Sequence, residues 1–107
     1  MKVKLYWMKN CKWCEKLKTE IGKLPKNFAK PVEIESQNVD EKTRSELKIY
    51  PTLAFFYDDG RLIKMLPGFK TFEEIKDAYE KAMNLEYIQK KYKRLNKNME
   101  KRRGETN

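Results

Sequence analysis

The sequence has no histidine, only two cysteines and no long apolar run. A structural zinc site normally takes four cysteine or histidine ligands, so only a metal site shared between chains remains as a metal hypothesis. A disulfide between Cys11 and Cys14 would close a loop too short to stabilise a secreted scaffold. No stretch could span a bilayer, and residues 1–8 contain no apolar segment typical of a signal peptide. We therefore expect a soluble, cytoplasmic protein with no membrane partner, no bound metal and no cofactor.

Charge is plentiful and uneven along the chain. The 107 residues carry 25 Lys and Arg against 16 Asp and Glu, a formal charge of +9. Eight of these basic residues and three of the acidic ones fall within 84–107, so a strongly basic tail follows a mildly basic body. Such a tail favours nucleic acid, acidic partners or anionic surfaces, but it also serves solubility. We expect a folded domain over 1–83 and a basic helical extension over 84–107 with a disordered end.

Hydrophobic periodicity predicts the element order β-α-β-α-β-β-α. Four short segments are alternating or continuously apolar, which predicts strands over 3–8, 32–36, 52–57 and 61–66. Three segments carry apolar residues at helical spacing, which predicts helices over 11–24, 40–48 and from 71 onward. Asp59-Gly60 favours a hairpin, Asp40 an N-cap, and Thr71 with Glu74 a capping box. The expected fold class is α/β, a three-layer sandwich of helices around a sheet.

The segment Cys11-Lys12-Trp13-Cys14 stands where the first predicted strand gives way to the first predicted helix. A cysteine in the first turn of a helix faces unpaired N–H groups and the positive end of the helix dipole, which favour thiolate over thiol. Such a setting lowers a cysteine pKa from about 8.5. Cys14 lies one turn deeper on the same face. The positions predict a redox-active pair, with Cys11 the exposed nucleophile and Cys14 the resolving thiol.

Over residues 2–83 these features, together with Ile49-Tyr50-Pro51-Thr52 and Gly68 before the last helix, resemble the thioredoxin–glutaredoxin superfamily. The resemblance implies a thioredoxin-like sandwich and a cis peptide bond at Pro51 beside the cysteines. It implies an enzyme that reduces disulfide-containing protein substrates, with a thioredoxin-reductase-type or glutathione electron donor. It also implies a substrate-binding surface around the sulfurs; its expected members are Trp7, Lys12, Trp13, Tyr50, Pro51 and Gly68. From the residues alone, Pro51 fits a trans bond at a strand start, and Trp7 fits a core position equally well.

The chain departs from both branches of this superfamily. Asn10 and Lys12-Trp13 stand where thioredoxins have Trp and Gly-Pro, and Leu5 stands where they bury an Asp. Ile49-Tyr50 replaces the Thr-Val of glutaredoxins, and Gly68 lacks the second glycine that they use to hold glutathione. We therefore expect a thioredoxin-like reductase of glutaredoxin size.

Residues 84–103 continue the last helix with an apolar stripe made of Leu85, Ile88, Tyr92, Leu95 and Met99. The stripe is compatible with packing on the protein's own body, a two-chain zipper, an arm for nucleic acid or another partner, and a solvated end. We expect packing on the body of a monomer. The alternative function is a thioredoxin-fold binding module that the basic tail attaches to nucleic acid or a larger assembly.

Overall fold

Four strands form one mixed sheet in the computed structural model, which describes the backbone of residues 1–105 and the side chains of residues 1–95. The strands are β1 (Lys2–Trp7), β2 (Val32–Glu35), β3 (Thr52–Phe56) and β4 (Leu62–Pro67). Their spatial order is β2-β1-β3-β4, with β1 parallel to β2 and antiparallel to β3, and β3 antiparallel to β4. The chain therefore has a mixed α/β fold.

The helices follow the predicted order, and the first two are shorter than predicted. They are α1 (Lys12–Gly22), α2 (Glu41–Glu46) and α3 (Phe72–Glu105), and an unpredicted 3-10 turn covers Ser36–Asn38. Helix α1 makes the crossover that the parallel pair β1–β2 requires. The predicted caps are present, because Asp40 accepts a hydrogen bond from the Thr43 N–H at 2.9 Å. The side chains of Thr71 and Glu74 likewise accept from each other's backbone N–H groups.

The two faces of the sheet carry separate apolar clusters because successive strand residues point to opposite sides. One face packs against α1 and α3, and its buried residues include Leu5, Leu17, Leu53, Phe55, Ile75 and Tyr79. The other face packs against the segment around α2, and its buried residues are Tyr6, Val39, Leu47 and Ala54. The sheet thus lies between two layers.

Tyr79 is the largest fully buried side chain of α3. Its ring meets Phe28 and Phe55 edge-on, with centroid distances of 5.2 and 4.8 Å. Its hydroxyl donates to the Ala29 carbonyl at 2.6 Å, and burial raises the pKa of that hydroxyl. Tyr79 therefore ties α3 to the loop between α1 and β2.

A second hydrogen bond connects the end of α1 to the start of α3. The Glu20 carboxylate accepts a hydrogen bond from the Phe72 N–H at 3.1 Å and forms an ion pair with Lys23. The hydrogen bond with Lys23, and then that from Phe72, hold the pKa of Glu20 below its usual value. Helix α1, which begins beside the cysteines, is thereby held at its far end.

The second half of α3 shows that the prediction of packing on the body is wrong for the described part of the stripe. Leu85, Ile88, Tyr92 and Leu95 are between 46% and 64% exposed, and the Met99 side chain lies outside the described residues. Residues 72–103 contain no glycine or proline that would break the helix. A 34-residue helix is about 51 Å long, whereas a six-residue strand spans about 20 Å. Helix α3 therefore continues past the sheet instead of folding back.

The expected domain boundary at residue 83 falls inside this continuous helix. Glu86 still contacts the body, with its carboxylate 2.8 Å from the α-amino group of Met1, and Lys90 lies 3.7 Å from Asp58. We predicted that the disordered end begins at Gly104. Helix α3 instead extends through Glu105, and residues 106–107 lie outside the described part of the chain. None of the helices over residues 1–105 has the length and hydrophobicity of a membrane-spanning segment.

Candidate functional site

The two cysteines form a disulfide at the N-terminal end of α1, with Cα atoms 5.2 Å apart. Cys11 is the N-cap, and its Sγ accepts a hydrogen bond from the Cys14 N–H at 3.1 Å. The chain turns into this position at Asn10, whose φ of 57° lies in the left-handed region that asparagine tolerates better than most residues. One of the unpaired N–H groups of the helix start is therefore directed at the sulfur of Cys11.

Exposure distinguishes the two sulfurs. Cys14 is completely buried, whereas Cys11 keeps 9% of its surface. Cys11 is the more exposed of the two cysteines, as predicted. Its exposed fraction is nevertheless much smaller than we predicted for the nucleophile. Its capping position holds it against the first turn of α1. Cys11 is therefore the more accessible of the two cysteines, and the chemical roles of the two sulfurs remain predictions.

Pro51 lies at the same end of the sheet as the disulfide. Thr52, the next residue, pairs with Tyr6 near the end of β1, so Pro51 stands beside the start of the loop that carries Cys11. The Tyr50–Pro51 peptide bond is cis, as the family resemblance implied. The Pro51 carbonyl accepts from the Gly68 N–H at 2.8 Å, and the Thr52 hydroxyl donates to the Ile49 carbonyl at 2.7 Å.

Gly68 has a φ of 82°, a conformation that other residues rarely adopt, so the turn after β4 favours glycine here. Its bond to Pro51 joins the loop before β3 to the loop after β4. The structure thus brings Pro51 and Gly68 together, and Lys12 is exposed beside Cys11 on the first turn of α1.

The predicted aromatic residues occupy different environments. Trp13 is 53% exposed, and its ring lies 5.4 Å from that of Phe69. Trp7 is half-buried with the Lys18 ammonium 3.9 Å from its ring centroid, and its buried Nε1 has no hydrogen-bond partner within the described residues. Tyr50 is also half-buried and packs against the apolar cluster on the α2 side of the sheet.

Sequence reasoning missed part of the surface around the disulfide. The first strand was predicted to extend to Met8, but β1 ends at Trp7 and Met8 is 41% exposed. The Trp13–Phe69 contact joins two segments more than fifty residues apart, so no local pattern signals it. The one sequence feature that could have indicated Phe69 as part of this surface is its position directly after Gly68.

No protein-family model matches this chain, and no curated protein matches it.

Proposed function

We propose that this chain is a dithiol–disulfide oxidoreductase of the thioredoxin superfamily that reduces disulfides in protein substrates. The observation that carries the proposal is the Cys11–Cys14 disulfide at the start of α1, with the Cys14 N–H directed at the Cys11 sulfur. The same N–H would stabilise a thiolate at Cys11 in the reduced protein. The strand order, with one parallel pair and an antiparallel hairpin, is compatible with the thioredoxin-like sandwich implied by the sequence.

Each cysteine has a separate step in the proposed reaction. The Cys11 thiolate attacks one sulfur of the substrate disulfide, forms a mixed disulfide and releases the other substrate sulfur as a thiolate. Cys14 then loses its proton and attacks the Cys11 sulfur, which closes the Cys11–Cys14 disulfide and releases the second substrate thiol. Two electrons pass from the cysteine pair to the substrate. Burial of Cys14 favours this intramolecular role, because an external disulfide cannot reach it.

The oxidised pair must be reduced again before the next cycle. A thioredoxin-reductase-type protein and glutathione are the two proposed donors, and a redox titration with each distinguishes them. A reducing compartment such as the cytoplasm suits this cycle, because its thiol systems keep such pairs reduced.

Catalysed reduction of insulin by dithiothreitol tests the proposal. We expect the wild-type chain to accelerate insulin precipitation, and Cys11→Ser to proceed at the uncatalysed rate. Circular dichroism must show that the variant keeps its helices and strands. Equal acceleration by wild type and Cys11→Ser, or none by wild type, would argue against the proposal.

The second candidate is a binding module that α3 attaches to nucleic acid. The observation that favours it is the exposure of residues 90–95, because four of these six residues are Lys or Arg. Phosphate contacts weaken steeply with salt, so salt-sensitive binding of random-sequence DNA or RNA, lost on truncation after Gln89, would support this function.

A further inference from the structure

An apolar rim lies at the end of the sheet that carries the disulfide. We define the rim as Met8, Trp13, Ile49 and Phe69; the first three are between 41% and 53% exposed. Trp13 and Phe69 are in ring contact, as described above. The Cδ1 atom of Ile49 lies 3.9 Å from the point where a Cβ of Gly68 would stand. The rim residues therefore lie on three segments, 8–13, 48–51 and 67–70, at that end of the sheet.

All three segments contain lysine, and none contains an acidic residue. The fourteen residues of 8–13, 48–51 and 67–70 contain no Asp or Glu and four lysines, namely Lys9, Lys12, Lys48 and Lys70. Each of these lysines adjoins a rim residue in sequence. One turn further along α1, the Lys16 ammonium stands 4.5 Å from the centroid of the Trp13 ring.

Three of these four lysines have no acidic partner at ion-pair distance among the described residues. Lys9 lies 3.6 Å from Glu35, whereas Lys12, Lys48 and Lys70 form no ion pair with any side chain within residues 1–95. Elsewhere on the molecule lysines pair with acids, as Lys81 does with Asp77. The disulfide end therefore combines exposed apolar area with a local excess of positive charge.

We infer that this surface selects polypeptide partners whose disulfide is flanked by acidic and apolar side chains. The inference rests on the proposed function and names the substrate class of that same site. The lysines attract the acidic side chains over distances of about a Debye length, and the rim then holds the apolar ones. The reaction itself is the two-electron exchange described above, in which the reduced cysteine pair becomes a disulfide and the substrate disulfide becomes two thiols.

Two synthetic peptides test the inference. They contain the same internal disulfide and the same apolar neighbours, and they differ only in carrying Asp and Glu or Lys at the flanking positions. The full-length chain is reduced, freed of reductant and mixed with each peptide, and tryptophan fluorescence reports a single turnover. We expect the acidic peptide to react about tenfold faster at about 0.01 M ionic strength, and the two rates to converge at about 1 M salt.

A pair of double variants with equal charge change locates the effect. Lys48→Glu with Lys70→Glu should abolish or invert the preference. Lys26→Glu with Lys30→Glu makes the same change in net charge in the loop after α1, at the opposite end of that helix, and should retain the preference. The ratio of the two peptide rates cancels any change in the intrinsic reactivity of Cys11. Equal loss of preference in both variants would overturn the assignment to this surface.

The remaining outcomes separate the inference from the function on which it rests. If the wild-type chain reduces both peptides at equal rates in low salt, the inference is wrong and the proposed function stands. If it reduces neither peptide, the proposed function is wrong, and the inference falls with it. If glutathione disulfide reacts faster than the acidic peptide, the lysines serve a small anionic disulfide and the polypeptide assignment is wrong.

Discussion

Removing the hydroxyl of Tyr79 tests how α3 is held on the body. The substitution Tyr79→Phe keeps the ring, and with it the edge contacts to Phe28 and Phe55. It deletes only the donor of the 2.6 Å hydrogen bond to the Ala29 carbonyl. This bond is partly buried and neutral, so its loss should cost about 1 kcal/mol of unfolding free energy. For a domain of this size, that loss corresponds to a melting temperature lower by about 4–6 °C.

The pH dependence of the same variant gives a second readout. Burial raises the pKa of Tyr79 in the folded protein, whereas an unfolded tyrosine ionises at a pKa of about 10. The folded state therefore retains a proton that the unfolded state loses above about pH 10, so wild type loses stability there. Tyr79→Phe lacks this contribution. The stability difference between the two proteins should shrink between pH 7 and pH 10.5, as measured by urea unfolding.

Tyr87→Phe is the matched control, because Tyr87 lies on the same helix and is 65% exposed. Its unfolding free energy should stay within about 0.5 kcal/mol of wild type. Equal stability of Tyr79→Phe and wild type, or an equal loss in the two variants, would refute the account of how α3 is anchored.

Three further predictions concern the turn before the site and the two ends of α3. Asn10→Ala should lower the urea midpoint of unfolding, because alanine loses about 1 kcal/mol in the left-handed conformation of this position. Asn10→Gly should lose less unfolding free energy, because glycine adopts that conformation readily. Equal midpoints for the two variants would argue against that backbone conformation. The Glu20 pKa is lowered on folding, so its contribution to stability is present above about pH 4.5 and is lost as pH falls through the folded pKa. Glu20→Gln should therefore differ most from wild type at pH 6 and least at pH 3, and a constant difference in unfolding free energy would contradict this. Truncation after Lys93 keeps the described contacts of Glu86 and Lys90 with the body and should change stability by less than about 0.5 kcal/mol. Truncation after Met83 removes both contacts and should cost more in thermal unfolding; equal losses would contradict this difference.

Local signals in the sequence predicted the element order and the caps well. Asp40 and Thr71 cap helices as their neighbours indicate, and Thr52–Phe56 is a buried central strand as its continuous apolar character indicates. Each of these features depends on residues within a few positions of one another. The placement of the cysteine pair at the start of α1 belongs to the same class, because a strand, a turn and a helical stripe define it.

Local patterns do not indicate which residues distant in sequence form contacts. Glu20 accepts from the N–H of Phe72 across 52 positions, and no pattern in either segment indicates the partner. The apolar stripe of α3 shows the converse problem. Periodicity predicted a helical face correctly over Leu85 to Leu95, but it carries no information on whether anything covers that face. This face is exposed because α3 is much longer than the strands of the sheet.

Trapping of the mixed disulfide tests the central claim most directly. The reduced variants Cys14→Ser and Cys11→Ser are each mixed with the acidic disulfide peptide, quenched with acid and analysed by intact mass. The account predicts that Cys14→Ser accumulates a covalent adduct of one chain and one peptide through Cys11, and that Cys11→Ser forms none because Cys14 is buried. An adduct formed by Cys11→Ser alone, or by neither variant, would contradict the assignment of Cys11 as the nucleophile of a dithiol–disulfide oxidoreductase.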